Sequence, residues 1–119
     1  MHVQLNQIAE SESFDVVVVG AGGAGMSAAL FAAIDGAKVL LVERTEYLGG
    51  TTALSAATSW VPLTEKGLAI DASDTLEKAA EFLDRAVGER APRDMRMVFL
   101  QNGHKAVAKL EENSHVQYQ

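Results

Sequence analysis

Residues Gly20 to Gly25, Gly-Ala-Gly-Gly-Ala-Gly, have the spacing needed to hold a pyrophosphate against backbone. Gly20 permits a sharp exit from a preceding strand. Gly22 carries no Cβ, so phosphate oxygens can approach the main chain. Gly25 lets the following helix lie close on the strand. Gly23 and Ala24 open that helix, whose unpaired N–H groups and dipole favour an anion. Glu43 stands roughly 20 residues further on, at the end of the next apolar run. A carboxylate there can accept hydrogen bonds from both hydroxyls of an adenosine ribose and repels a 2′-phosphate, which argues against an NADP-type ligand at this site. A second turn follows, with Gly49 and Gly50 leading into Thr51 and Thr52. The threonine hydroxyl and N–H groups suit a distal phosphate or ring system, and Arg44 is placed to flank the adenine or screen Glu43. NAD and FAD both carry ADP, so the first turn alone does not choose between them. The second suits a ligand extended across the sheet edge.

These groups need a particular scaffold. Phe14–Val19 is a continuous, mostly β-branched run, as expected of a buried parallel strand. Gly23–Ile34 is small and apolar nearly all round, which predicts a helix packed on a sheet, ended by Asp35-Gly36. Lys38–Val42 is a second apolar strand. Together they make a βαβ unit with an expected right-handed crossover. Residues 1–13 read as a flexible lead-in. Thr51–Thr58 predicts a short helix and residues 63–73 a loop. Asp74–Val87 has a helical period through Leu76, Ala80, Leu83 and Val87, with Asp74 and Glu77 resembling a capping box and Gly88 as a stop. Pro92–Leu110 continues helically through Met95, Val98, Phe99, Ala106, Val107 and Leu110, with a break expected at Asn102-Gly103. Residues 115–118 alternate weakly, as at the start of a strand. The fold class is therefore α/β, a Rossmann-like dinucleotide-binding βαβ unit followed by helices. Two parallel strands are not a self-sufficient core, so the unit reads as incomplete on its own.

The bulk properties narrow the partners. The 119 residues carry a net charge of −6 with no basic stripe, which argues against nucleic acid or an anionic membrane surface. The absence of cysteine excludes disulfides, thiolate metal sites and a thiol nucleophile. The first thirteen residues lack the pattern of a signal peptide, and the apolar run at Val16–Val19 is too short to span a bilayer. A soluble, cytoplasmic protein is expected.

The residues VVVVGAGGAG, VLLVER and GGTTALSAATSWVP resemble the N-terminus of the fumarate reductase and succinate dehydrogenase flavoprotein family. The TTALS…WVP segment is most similar to its 3-ketosteroid dehydrogenase-type members. The resemblance covers residues 14–62 and, less specifically, the helical stretch ending in Leu110–Asn113. It implies that residues 14–119 are the N-terminal portion of an FAD-binding domain, with 63–119 its mainly helical continuation. It further implies FAD as cofactor, with contacts at Gly20, Gly22, Ala24, Gly25, Glu43, Thr51, Thr52, Ala56 and Ala57. Many relatives have glycine at the last two positions. The implied chemistry is hydride transfer between flavin and an activated C–C bond of a steroid ketone or an unsaturated acid, with electrons passed to a separate acceptor. Members of the family are several times longer, so their catalytic groups are expected beyond Gln119. A 119-residue chain alone is then expected to be inactive and prone to self-association.

No residue here takes a catalytic or metal-binding role. His2, His104 and His115 lack paired-ligand spacing. Ser55 sits in no nucleophile elbow. Trp60 suits either a pocket border or an anchor beside Pro62, while Met95, Met97 and Phe99 read as core. Two rivals stand beside the flavoenzyme: an NAD-binding dehydrogenase domain, and a truncated nucleotide-binding module without catalysis.

Overall fold

A computed structural model of the chain describes residues 4–118. Two compact units divide the chain, Met1–Thr58 and Ser59–Gln119.

The first unit is built on two parallel strands, β1 (Val16–Val19) and β2 (Val39–Val42), paired from Val16 with Val39 to Val19 with Val42. Helix α1 (Gly23–Ile34) makes the crossover and packs on both strands. Its boundaries match the sequence expectation because both ends carry a specific signal. Gly22 is extended and precedes the helix. At the other end Gly36 takes φ +93°, its N–H donates to Ala33 O, and Ala37 N–H donates to Ala32 O. That pair of bonds is a Schellman motif, which satisfies the last helical carbonyls.

Strand β1 starts two residues later than the valine run predicts. Lys38 N donates to Asp15 Oδ2 at 2.8 Å, so a side chain replaces a ladder bond at the sheet's entrance. The Lys38 ammonium also lies 5.1 Å from the Phe14 ring centroid and pairs with Glu12. Val16 and Val18 are half-buried, whereas Val17 and Val19 are exposed, so β1 is not buried on both faces here. Of the expected lead-in, residues 1–3 lie outside the described residues, and Leu5–Gln7 forms one 3-10 turn.

The second unit is helical. Helix α2 (Glu65–Ile70) lies where a loop was expected. Thr64 caps it, its hydroxyl accepting from Gly67 N at 3.1 Å. Helix α3 (Leu76–Ala86) is capped by Thr75, which accepts from Lys78 N. Asp74 is not the cap, because its carboxylate accepts instead from Leu63 N at 2.9 Å. Helix α4 (Arg93–Asn113) runs unbroken through Asn102-Gly103. Asn102 Nδ2 donates to Val98 O, one turn back. A Cβ on Gly103 would stand 3.0 Å from Val61 Cγ1, so the glycine serves packing rather than a turn.

Ala79, Ala80 and Leu100 form this unit's core, with Leu76, Leu83 and Met97 packed against it. The α4 face differs from the expected one: Met95 and Val98 are exposed and Phe99 partly so. Trp60 is half-exposed, its ring centroid 5.2 Å from that of Phe82 and 6.2 Å from that of Phe99. Arg96 is the main polar tie between α3 and α4. Its guanidinium donates to Gly88 O, to Ala91 O at 2.6 Å and to Asp84 Oδ1 at 2.7 Å. This guanidinium holds the Asp84 carboxyl below the usual carboxylate range. The expected strand at 115–118 does not form, because Glu111 takes the Tyr118 N–H and Lys66 donates to Tyr118 O.

Candidate cofactor site

The site is assembled where β1 ends. Gly20 leaves the strand at φ +95°, still donating to Val42 O at 2.7 Å. Ala21 is fully buried. Its N–H donates to Glu43 Oε2 at 2.8 Å, and its carbonyl accepts from Gly49 N at 2.7 Å. One residue therefore ties the first glycine turn to both the acid and the second turn.

Close packing explains most of the glycines. A Cβ on Gly25 would lie 1.8 Å from the carbonyl oxygen of Gly20, so only glycine lets α1 sit this close to the strand exit. A Cβ on Gly23 would lie 2.7 Å from Thr52 Oγ1, and one on Gly50 3.2 Å from Gly22 Cα. Gly49 adopts φ +106° and bridges to Gly22 in parallel. The second turn thus docks directly on the first, carried into a 3-10 helix at Gly50–Leu54. Gly22 differs from these: nothing lies within 4 Å of where its Cβ would be. The open space beside Gly22, next to the uncapped N-terminus of α1, is what a pyrophosphate requires, so the residues present fit a dinucleotide.

Glu43 is half-buried at the end of β2. Besides Ala21 N on Oε2, its Oε1 accepts from Thr45 N at 3.0 Å and lies 3.1 Å from Thr45 Oγ1. These donors, Ala21 N–H foremost, lower its pKa from 4.5 to about 2. The carboxylate is therefore ionised at neutral pH. Oε2 carries one donor and retains a lone pair for a ribose hydroxyl, and Oε1 shares the Thr45 hydroxyl proton with Tyr47 O.

Of the residues singled out from the sequence, Gly20, Gly22, Gly23, Gly25, Glu43, Gly50 and Thr52 are brought together. Ala24 is exposed on the first turn of α1, and Arg44 and Thr51 are exposed next to Glu43 and Thr52 in the chain. Ala56 and Ala57 follow the 3-10 helix, exposed, and Ala57 stands at φ +58°. That left-handed backbone suits glycine better than a residue with a Cβ. Sequence reasoning missed Ala21 and Thr45. Ala21 acts through its main chain, which no side-chain pattern reveals. Thr45 carries one signal, a hydroxyl two residues after the acid, the spacing of a local turn bond.

A parallel βαβ unit with this turn and acid defines a dinucleotide-binding protein of the Rossmann-like class. The chain belongs to the FAD binding domain family, which matches residues 15–119. Its cofactor is thus FAD, and the nicotinamide alternative falls away. It is 39% identical over 104 residues to 4-oxocyclohex-2-ene-1-carboxylate 5-dehydrogenase of Sinomonas cyclohexanicum, covering 87% of this chain and 17% of that protein. It is 36% identical over 96 residues to a fumarate reductase (cytochrome) of Shewanella frigidimarina, covering 81% of this chain and 16% of that protein. Among solved structures, 3-ketosteroid delta1-dehydrogenase from Sterolibacterium denitrificans, in complex with 1,4-androstadiene-3,17-dione, superposes with a TM-score of 0.75. The identity is 30%, over 84% of this chain and 17% of that one. The chain thus spans about a sixth of the length of these relatives. Among the described residues no helix is long and apolar enough to cross a membrane.

Proposed function

We propose that the protein carrying this segment is an FAD-dependent dehydrogenase of a ring ketone, and that this segment holds the cofactor's ADP half. The observation that carries the reading is the open space beside Gly22, bordered by an ionised Glu43 and by the second glycine turn. In this reading the backbone of Gly20, Gly22, Gly23, Ala24 and Gly25 receives the pyrophosphate, and Glu43 accepts from the adenosine ribose. Arg44 flanks that end. Gly50, Thr51 and Thr52 meet the distal phosphate, and Ala56 and Ala57 approach the flavin. When bound, FAD supplies the two-electron acceptor for a hydride leaving a carbon of the substrate ring. The segment's own contribution is to bind and orient. The group that takes the accompanying proton lies outside it, as does the binding surface for the substrate. Residues 14–119 then form the N-terminal portion of the FAD-binding domain, with 63–119 its helical continuation, in a cytoplasmic protein.

The ring-ketone reading draws on the dehydrogenase relatives, whose names pair an oxo group with a ring dehydrogenation. A second reading, reduction of an unsaturated dicarboxylate, is favoured by the fumarate reductase likeness. One anaerobic experiment on the full-length flavoprotein separates them. Bleaching of the flavin by a 3-oxosteroid or an oxocyclohexenecarboxylate supports the first. Failure of both to bleach it, with fumarate reoxidising flavin reduced by dithionite, overturns the first in favour of the second.

A further inference from the structure

We infer that Thr45 is a positioning residue for the cofactor, setting the plane of the Glu43 carboxylate and tying it to the chain that enters the second glycine turn. The inference rests on the reading of Glu43 as the ribose acceptor. Thr45 presents two donors to that acid. Its N–H donates to Oε1 at 3.0 Å, and its hydroxyl lies 3.1 Å from the same oxygen. The hydroxyl is also 2.9 Å from Tyr47 O. A threonine hydroxyl has a single proton, so it is shared between the carboxylate and the Tyr47 carbonyl. Tyr47 stands two residues before Gly49, the residue that pairs with Gly22 and donates to Ala21 O.

The consequence is a closed circuit. Ala21 N–H fixes Oε2, Thr45 fixes Oε1, and Thr45 with Ala21 reaches both ends of the segment leading to the second turn. A carboxylate held at both oxygens cannot rotate about its terminal bond without breaking a charge-assisted hydrogen bond. The acceptor capacity left to it, foremost on Oε2, is then fixed in direction, as recognition of a ribose hydroxyl requires. Thr45 itself is exposed, so its replacement leaves no buried void.

The test is FAD affinity of the full-length apoprotein and four variants: Thr45→Val, Thr45→Ser, Glu43→Gln and the double variant Glu43→Gln/Thr45→Val. Valine keeps the shape and the backbone N–H but removes the hydroxyl. We expect Thr45→Val to weaken FAD binding about three- to tenfold, as for one ordinary hydrogen bond at an exposed site. Thr45→Ser should stay within about twofold of the parent, since the hydroxyl remains. In the Glu43→Gln background Thr45→Val should add little, because the two residues act as one unit. Unchanged affinity in Thr45→Val beside a weakened Glu43→Gln overturns the role of Thr45 and leaves the ribose reading standing. Undiminished weakening by Thr45→Val in the Glu43→Gln background also overturns it, since the effect then bypasses the acid. Full affinity in Glu43→Gln overturns the ribose reading, and the inference with it.

Discussion

Alanine substitutions at Gly22 and Gly25, three residues apart, should behave differently. At Gly25 an added Cβ would stand 1.8 Å from the Gly20 carbonyl oxygen and 3.0 Å from its carbon. Both are backbone atoms, so no rotamer change relieves the overlap. The strand exit and α1 must separate by more than an ångström, in a unit where α1 covers both strands. Overpacking of this kind costs about 1–3 kcal/mol or more. At Gly22 the backbone has φ −74°, which any residue adopts, and nothing lies within 4 Å of the new methyl. Folding should therefore change by less than about 0.5 kcal/mol. The methyl instead fills the space assigned to the pyrophosphate. A clash of about 1–3 kcal/mol in the complex alone converts to a roughly 5- to 150-fold loss of FAD affinity. The assay pairs denaturant unfolding of the full-length apoprotein with FAD titration by flavin fluorescence. Gly25→Ala should fail in both and Gly22→Ala in titration alone. Parent-like FAD binding by Gly22→Ala would refute the placement of the pyrophosphate.

Three further outcomes follow from the geometry. Glu43 has its pKa lowered from 4.5 to about 2, so its interactions are fully present above 4.5 and are lost as pH falls toward 2. Acid release of FAD followed by fluorescence should thus show no contribution from Glu43 between pH 7 and 5, and Glu43→Gln should abolish the component seen at lower pH. Ala57 at φ +58° carries a Cβ in left-handed backbone, so Ala57→Gly should stabilise the protein by about 0.5–1 kcal/mol in a denaturant midpoint. Arg96→Ala removes a guanidinium that is 10% exposed and serves Gly88 O, Ala91 O and Asp84. It should cost about 2–3 kcal/mol and loosen hydrogen-exchange protection at the α3–α4 junction.

The glycine turns and the acid after β2 were more legible in the sequence than the helical half. Gly20, Gly22, Gly25 and Glu43 announce themselves because each does one job that few residue types can do. The same holds for α1, whose capping glycines define both ends. The helical half was harder. Its period was visible in both α3 and α4, yet the inward face of α4 belongs to Met97 and Leu100 rather than Met95 and Val98. A run with apolar residues on several sides leaves the face to tertiary packing. Asn102-Gly103 looked like a turn, but α4 runs through it, and a Cβ at 103 would crowd Val61 Cγ1 at 3.0 Å. Asp74 looked like a cap, and a long-range bond to Leu63 N claimed it while Thr75 took the local role. Arg96 and Ala21 were invisible for a related reason: Arg96 donates to main-chain carbonyls, Ala21 donates from its own main chain to Glu43, and these groups meet only after folding.

The most direct measurement is the identity and amount of nucleotide released when the purified full-length protein is denatured. The account predicts FAD, close to one per chain, with Glu43→Gln and Gly22→Ala retaining less of it. Release of NAD in place of FAD, or FAD held equally by the parent and both variants, would contradict it.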